Sequence, residues 1–294
     1  MLFLCFCLLQ VMPADPAAII AGPDARPEMV EAIRRDLGLD RPIPVQFIDY
    51  IGRVLQGDLG RSIISNKSVG EELAETIGPT VELMIGAMIL AVPIGLLLGT
   101  VAAVRRGSTT DRIIMAVSVA GVSMPVFFIG LLLIQFVGYK WDLLPFTGRV
   151  GPVWAGGLPA LILPALTLGS VLIGPIARLT RTAVLEVLGA DFVRTARAKG
   201  LRERAVIVHH ALRNALIPVV TLIGLQAAFL LGGAVVTETM FSWPGVGRLA
   251  VGAIISSDFP TAQGAIMILA IAFLVINLIV DVLYVYLDPR VQRA

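Results

Sequence analysis

Five stretches of this chain run without Asp, Glu, Lys or Arg for long enough to cross a bilayer, which takes about 20 residues. They are Leu83 to Val104, Ile113 to Tyr139, Val150 to Ala177, Asn214 to Thr237 and Phe259 to Val280. A soluble enzyme with one core does not carry five such runs. Composition agrees: of 294 residues, 57% are hydrophobic and 15% charged, against roughly a quarter charged in a soluble domain. A net charge of +2 is too small to direct the chain to nucleic acid. Cys5 and Cys7 both fall in the apolar N-terminus and cannot supply a disulfide framework or a four-ligand zinc site.

The first apolar run, Met1 to Met12, would be about 18 Å long as a helix, short of the ~30 Å hydrocarbon core. A secretory signal would need a basic stretch before its apolar run and a small-residue cleavage site after it, and no basic residue precedes this run, so it does not read as one. It reads as the second half of a first spanning helix, truncated at its start; the alternative is a short helix lying in the interface. On the first reading, a longer native N-terminus with Arg or Lys is expected.

Lys and Arg near membrane ends stay on the cytoplasmic side. Between spans two and three lie Arg105, Arg106 and Arg112; between four and five lie Arg178, Arg181, Arg194, Arg197, Lys199, Arg202, Arg204 and Arg213. These two loops are expected inside. Only Lys140 and Arg149 follow span three, and only Arg248 follows span five. Six spans then leave both termini cytoplasmic, with Arg290 and Arg293 at the C-terminal end. Residues 13–78 hold seven basic and eleven acidic side chains, and long loops cross largely regardless of charge. They are expected to form an external segment, either an ordinary cap or a docking surface. Within it, 24–37 reads as an amphipathic helix with Pro27 in its first turn, Met29, Ile33 and Leu37 on one face, and Gly38 past its end. Gln46 to Leu55 reads as a second helix, with Phe47, Tyr50, Ile51 and Val54 on one side.

Ionisable residues inside a span mark ion pathways. Here Glu82 and Asp281 stand at span ends and no carboxylate chain runs through the middle, which argues against the alternative of a stand-alone ion-coupled transporter. The polar residues Ser123, Gln135, Thr167, Ser170, Thr221, Gln226 and Asn277 either line a pathway or bond between helices, with helix packing favoured for most. Prolines at 93, 125, 159, 164, 175 and 218 and the pairs Gly156-Gly157 and Gly232-Gly233 suit kinked, closely approaching helices. His209 and His210 are neighbours in sequence and point to different sides of a helix, so a metal site is not expected there. No Gly-x-x-x-x-Gly-Lys-Ser/Thr loop occurs, so the chain has no ATP site of that kind. No nucleophile and base share membrane depth, so catalysis is not expected.

The most specific segment runs from Ala190 to Pro218. Asp191 suits an N-cap and Gly200 a C-terminal stop, framing a two-turn helix over 192–199. Phe192 and Ala196 share one face at i,i+4, with Arg194, Arg197 and Lys199 elsewhere.

This segment resembles the coupling loop of binding-protein-dependent ABC importer permeases, in the version found in dipeptide, oligopeptide, nickel and glutathione importers. Ala196, Gly200 and Leu212 match the loop's Ala, its Gly and its late apolar residue. Arg194-Thr195 replaces the general leading Glu-Ala, and Arg213 its closing proline, as in the peptide-importer version. Further similar segments, in family order, are 37–42, Gly57-Asp58-Leu59-Gly60, 178–181, 232–241, Trp243-Pro244-Gly245-Val246-Gly247, and 280–284 through Asp288-Pro289. Ile20-Ala21-Gly22-Pro23 and the 226–233 region look most like the glutathione type.

The resemblance implies an all-α membrane protein with the type I importer permease fold and six transmembrane helices. The expected division is a partial first helix over 1–12, an external subdomain over 13–78, a transmembrane domain over 79–289 with its coupling loop at 185–217, and a cytoplasmic tail at 290–294. It implies a chain that is not itself an enzyme and binds no cofactor, with ATP and Mg held by partner ATPase subunits. The implied partners are a second related permease subunit, two cytoplasmic ATPase subunits and an external solute-binding protein, in a bacterial inner membrane. Asp191, Phe192, Arg194, Ala196, Arg197, Lys199, Gly200 and Leu212 are the implied ATPase-coupling residues.

Overall fold

A computed structural model describes Phe3, Phe6 and residues 15–22, 24–36 and 38–287. The expected first span over 1–12, with Cys5 and Cys7, and the tail with Arg290 and Arg293 lie outside the described residues, as does Leu37. Among the described residues there are helices and no β-strand, the one β-bridge being Arg61 with Ser68. They form two compact units, one from the residues up to Thr80 with Trp243–Ala272, the other from Val81–Ser242 with the residues from Phe273 on.

The first unit contains helices α1 (Pro16–Ala21), α2 (Pro27–Asp36) and α3 (Ile43–Leu55). Asp15 caps α1 by accepting from the Ala17 N–H at 3.0 Å, and it also pairs with Arg34 of α2. Pro27 opens α2, where its missing N–H costs nothing. Of the expected apolar face, Met29 is exposed and Ile33 is half-buried, and α2 buries no residue fully. On α3, Phe47, Tyr50, Ile51 and Val54 do share one side, packed with Phe6 and Met267.

The same unit holds the first turns of α4 (Val69–Val104), then α10 (Val246–Ile255) and the start of α11 (Phe259–Leu287). Val69, Leu73, Val246, Ala250 and Ala265 form its apolar core. Trp243, fully buried, donates from Nε1 to the Pro79 carbonyl at 2.8 Å, and the Val246 N–H donates to Thr80 Oγ1 at 2.9 Å. Buried Asp258 accepts from Ser62 Oγ, from the Ile63 N–H at 3.1 Å and from Thr261 Oγ1 at 2.9 Å, which fixes the loop at 62–63 to the start of α11.

The second unit is built around α7 (Leu158–Leu188), the most buried of the long apolar helices. Leu163, Leu168, Leu172 and Ile176 are buried along it. Glycines let the neighbours close in: a Cβ on Gly99 of α4 would stand 2.4 Å from the Ala177 carbonyl, and one on Gly95 would stand 2.7 Å from Ile176 Cγ2. Around α7 lie α5 (Thr109–Ser123), α6 (Val126–Leu133) and α9 (Arg213–Met240). Two side-chain pairs tie the loops down. Arg149 donates to Glu82 at 2.6 and 2.9 Å, and the Val153 N–H donates to the other oxygen of Glu82 at 2.8 Å. Arg181 donates to buried Asp111 at 2.6 and 2.8 Å, and Asp111 also accepts from the Gly107 N–H at 2.9 Å.

Among the described residues, four helices are long and apolar enough to cross a membrane, or five spans if a bent pair counts as one. They carry the five expected runs, with two corrections. The run from Ile113 to Tyr139 is not one helix: α5 and α6 meet at a 106° bend. Met124 sits before Pro125 with φ −85° and ψ 130°, the extended conformation that a following proline favours. The run from Val150 makes only a 3-10 turn at Val153–Ala155 and becomes α-helical at Leu158, past Gly151, Gly156 and Gly157, continuing to Leu188.

Candidate functional site

Between α7 and α9 the chain turns through a compact helical hairpin. Helix α8 (Asp191–Ala198) is followed by a single turn at Glu203–Ala205 and a π-helical stretch, Val206–Leu212, that runs into α9. The N-cap of α8 is Ala190, not Asp191 as expected, and it offers no side-chain bond. Asp191 instead stands in the first turn, where a carboxylate favours the helix dipole. It makes a charged contact with Arg194 at 3.4 Å.

The C-terminal end of α8 is as the residues indicate. Gly200 takes φ +77°, and two bonds close the turn: the Gly200 N–H donates to Arg197 O at 2.9 Å and the Leu201 N–H to Ala196 O at 3.4 Å. This is a Schellman closure, which requires a residue at ease in the left-handed region. Arg197 then reaches six residues on to Glu203, donating from Nη2 to Oε1 at 2.7 Å and from Nε to Oε2 at 3.2 Å. That bond holds the Glu203 carboxyl below its ordinary range, with a smaller direct charge effect from Arg197 and an opposing one from burial; the Arg197 guanidinium is correspondingly raised.

The buried face of α8 is Val193 with Ala196, clustered with Val206 and packed by Val187 and Leu188. Phe192, expected to share a face with Ala196, is 45% exposed while Val193 is 0% exposed. At about 100° per residue, positions 192 and 193 both neighbour 196, on its two sides, and the apolar wall of Val187, Leu188 and Val206 covers the side that carries Val193. Phe192, Arg194, Arg197, Lys199 and Gly200 lie on the exposed surface, with Leu201, Arg202 and Arg204 beside them. Leu212 is half-buried against Ala103, Ala183, Val184 and Ala215 and anchors the hairpin's exit. Sequence reasoning missed Glu203 and the exposed Leu201. A Glu six residues beyond an Arg and across a glycine turn is compatible with such a pair, but the spacing by itself does not fix one.

The polar residues named for a pathway part company. Thr167 is buried and donates to Leu163 O at 2.8 Å, and Ser170 donates to Thr167 O at 2.7 Å, so both hydroxyls bond within α7. Ser123 and Gln135 are exposed on this chain, while Thr221 and Gln226 are half-buried on α9. His209 is exposed and His210 half-buried in the π-helical stretch.

Residues 92–293 match the family described as "Binding-protein-dependent transport system inner membrane component", and residues 1–80 match "Binding-prot-dependent transport system membrane comp, N-term". The chain is 44% identical over 289 residues to the glutathione transport system permease protein GsiC of Escherichia coli strain K12, covering 98% of this chain and 92% of that one. The GsiC of Salmonella typhimurium gives the same figures. In fold it is similar to a chain of the inward-facing MetNI methionine ABC transporter, with a TM-score of 0.56 and 18% identity over 74% of this chain and 96% of that one. A second crystal form of that transporter gives 0.55 and 19%. A multi-pass helical chain matched over nearly its full length in this way belongs to the family of binding-protein-dependent transport system inner membrane components, as a permease subunit of an ATP-driven ABC importer.

Proposed function

We propose that this permease imports glutathione or a similar small peptide, as the names of its relatives indicate. It would work with a second related permease subunit, two cytoplasmic ATPase subunits that bind ATP and Mg, and an external solute-binding protein. The chain itself binds no cofactor in this reading. Both termini face the cytoplasm, residues 13–78 and 242–257 face outward, and 105–112 and 178–213 face inward, an orientation supported by the crowding of Lys and Arg into the latter two segments. Residues 79–289 make up the transmembrane domain and 185–217 its coupling loop.

The observation that carries the coupling role is the build of α8. It is closed by Gly200, pinned by the Arg197–Glu203 pair and seated on Val193 and Ala196. Phe192 and Leu201 are nonetheless left exposed among Arg194, Lys199, Arg202 and Arg204. A rigid helix with an uncovered apolar pair and a basic rim fits a cleft on a partner subunit. The test is reconstitution of the purified complex in proteoliposomes with its binding protein. ATP-dependent uptake of labelled glutathione, competed by small peptides, is expected. An assembled complex that hydrolyses ATP yet takes up neither would overturn the substrate class, and transport by the lone chain would overturn the assembly.

A further inference from the structure

The bend between α5 and α6 sits where a polypeptide backbone is hardest to satisfy. Ser123, the last residue of α5, lies about 16 Å along the helix from Arg112, and the chain then stays uncharged to Lys140. The bend is therefore within the apolar layer, whether the two helices cross it in sequence or return to the face they left.

Its backbone bonding is incomplete. The Met124 N–H donates to Ala120 O at 3.1 Å, and the next bonds are from Phe128 and Ile129 to Pro125 O, at 3.0 and 3.4 Å. Pro125 has no N–H to answer Gly121, and the Val126 and Phe127 N–H groups do not reach Val122 or Ser123. Three consecutive carbonyls, those of Gly121, Val122 and Ser123, thus lack a backbone donor among the described residues. The Ser123 hydroxyl adds none, since it donates to Val119 O at 3.1 Å. Val122, Ser123, Met124 and Pro125 are all exposed on this chain.

Lipid cannot be what covers them, because irregular backbone at membrane depth is tolerated only against protein or water. A neighbouring transmembrane helix uses its own N–H groups internally and could answer these carbonyls only with side chains; water answers all three. We infer that the Gly121–Pro125 break lines the water-filled transport pathway, its carbonyls hydrated and able to accept from the ammonium or amide N–H groups of a passing solute. The inference rests on the importer reading and assigns a wall of its pathway.

The test is thiol accessibility in the assembled importer in proteoliposomes, with Cys5 and Cys7 replaced by Ser. Ser123→Cys and Met124→Cys are compared with Val117→Cys and Leu131→Cys, which are also exposed on this chain but lie within the regular turns of α5 and α6. A small cationic methanethiosulfonate reagent is applied and modification read by intact mass, with denatured samples confirming that each thiol can react. Modification of both break positions at least about tenfold faster than both controls is expected, because the reagent reaches only hydrated thiols. Rates equal to the controls would overturn the inference. ATP-driven uptake by the same vesicles before labelling reports on the importer reading separately: slow labelling with uptake intact overturns the pathway wall alone.

Discussion

Arg197 and Glu203 meet in a two-pronged pair across the Gly200 turn, at 2.7 and 3.2 Å, and so tie the end of α8 to the start of the helical stretch that leads into α9. In the proposed coupling role, motion imposed on α8 would pass through this tie to α9. The pair is half-exposed on both sides, so its worth lies in geometry more than in stability, and salt screens it.

The pair gives a pH dependence of known sign. The Glu203 carboxyl is held below its ordinary value by the Arg197 hydrogen bond. Its contribution is therefore present above the unfolded-state value near 4.5 and is lost as pH falls through the lower folded-state value. Hydrogen-exchange protection at Leu201 to Ala205, taken relative to the intrinsic rate at each pH, should fall on acidification below that range in the wild type, and Glu203→Gln should show the lower protection already at neutral pH. The double exchange Arg197→Glu with Glu203→Arg should restore slow exchange at neutral pH. A Glu203→Gln chain that protects this turn as well as wild type would show that the pair does not order it.

Gly200 is expected to matter for its backbone alone. A Cβ there meets nothing within 4 Å, yet φ is +77°, so substitution brings strain and no clash. A β-branched residue in this region is a true outlier, costing roughly 1–3 kcal/mol, whereas Asn tolerates it. Gly200→Val should reduce ATPase co-purification or solute-stimulated hydrolysis several-fold while membrane insertion persists. Gly200→Asn should stay close to wild type. If Val and Asn behave alike, the left-handed turn is not what this segment contributes.

Much of this was legible in the residues because it is local. An uncharged run of twenty-odd residues is a one-dimensional property, and Gly200 ends a helix through its own φ. The Arg197–Glu203 pair was not legible, since it depends on the path taken through Leu201 and Arg202. Nor was the choice of Val193 over Phe192 as the buried side chain, which is made by Val187, Leu188 and Val206 from outside the helix. The break at Met124 lay between: Pro125 was visible as a helix-perturbing residue, but whether a proline kinks or severs its helix is decided by the surrounding contacts.

Packing around α7 makes a further prediction. A Cβ at Gly99 would fall 2.4 Å from the Ala177 carbonyl and 2.6 Å from Thr180 Cβ, against backbone and a branch point that cannot swing away. Gly99→Ala should destabilise the detergent-solubilised permease by about 1–3 kcal/mol, the usual cost of overpacking. Gly232→Ala, with nothing within 4 Å of its Cβ, should leave stability unchanged or slightly raised. Denaturation midpoints followed by tryptophan fluorescence would compare the two, and equal midpoints would contradict the close α4–α7 approach.

Orientation supplies the last prediction. The cytoplasmic assignment of 178–213 rests on the excess of Lys and Arg there, and the positive-inside bias is strongest for short loops near span ends. Residues 13–78 exceed about 60 residues and fall outside that rule, so their external placement follows from span parity and not from their own charge. The two placements must therefore be tested together. In cells or right-side-out vesicles lacking Cys5 and Cys7, Lys67→Cys should react with an impermeant maleimide added outside, since Lys67 is exposed in a turn. Arg194→Cys, whose parent side chain is 75% exposed, should react only after permeabilisation. Outside labelling at Arg194→Cys with protection at Lys67→Cys would invert the whole chain and place α8 where no cytoplasmic ATPase could reach it. Outside labelling at both would mean that the bent α5–α6 pair returns to the face it left and does not cross, because only a change in span parity between the two positions puts them on one side.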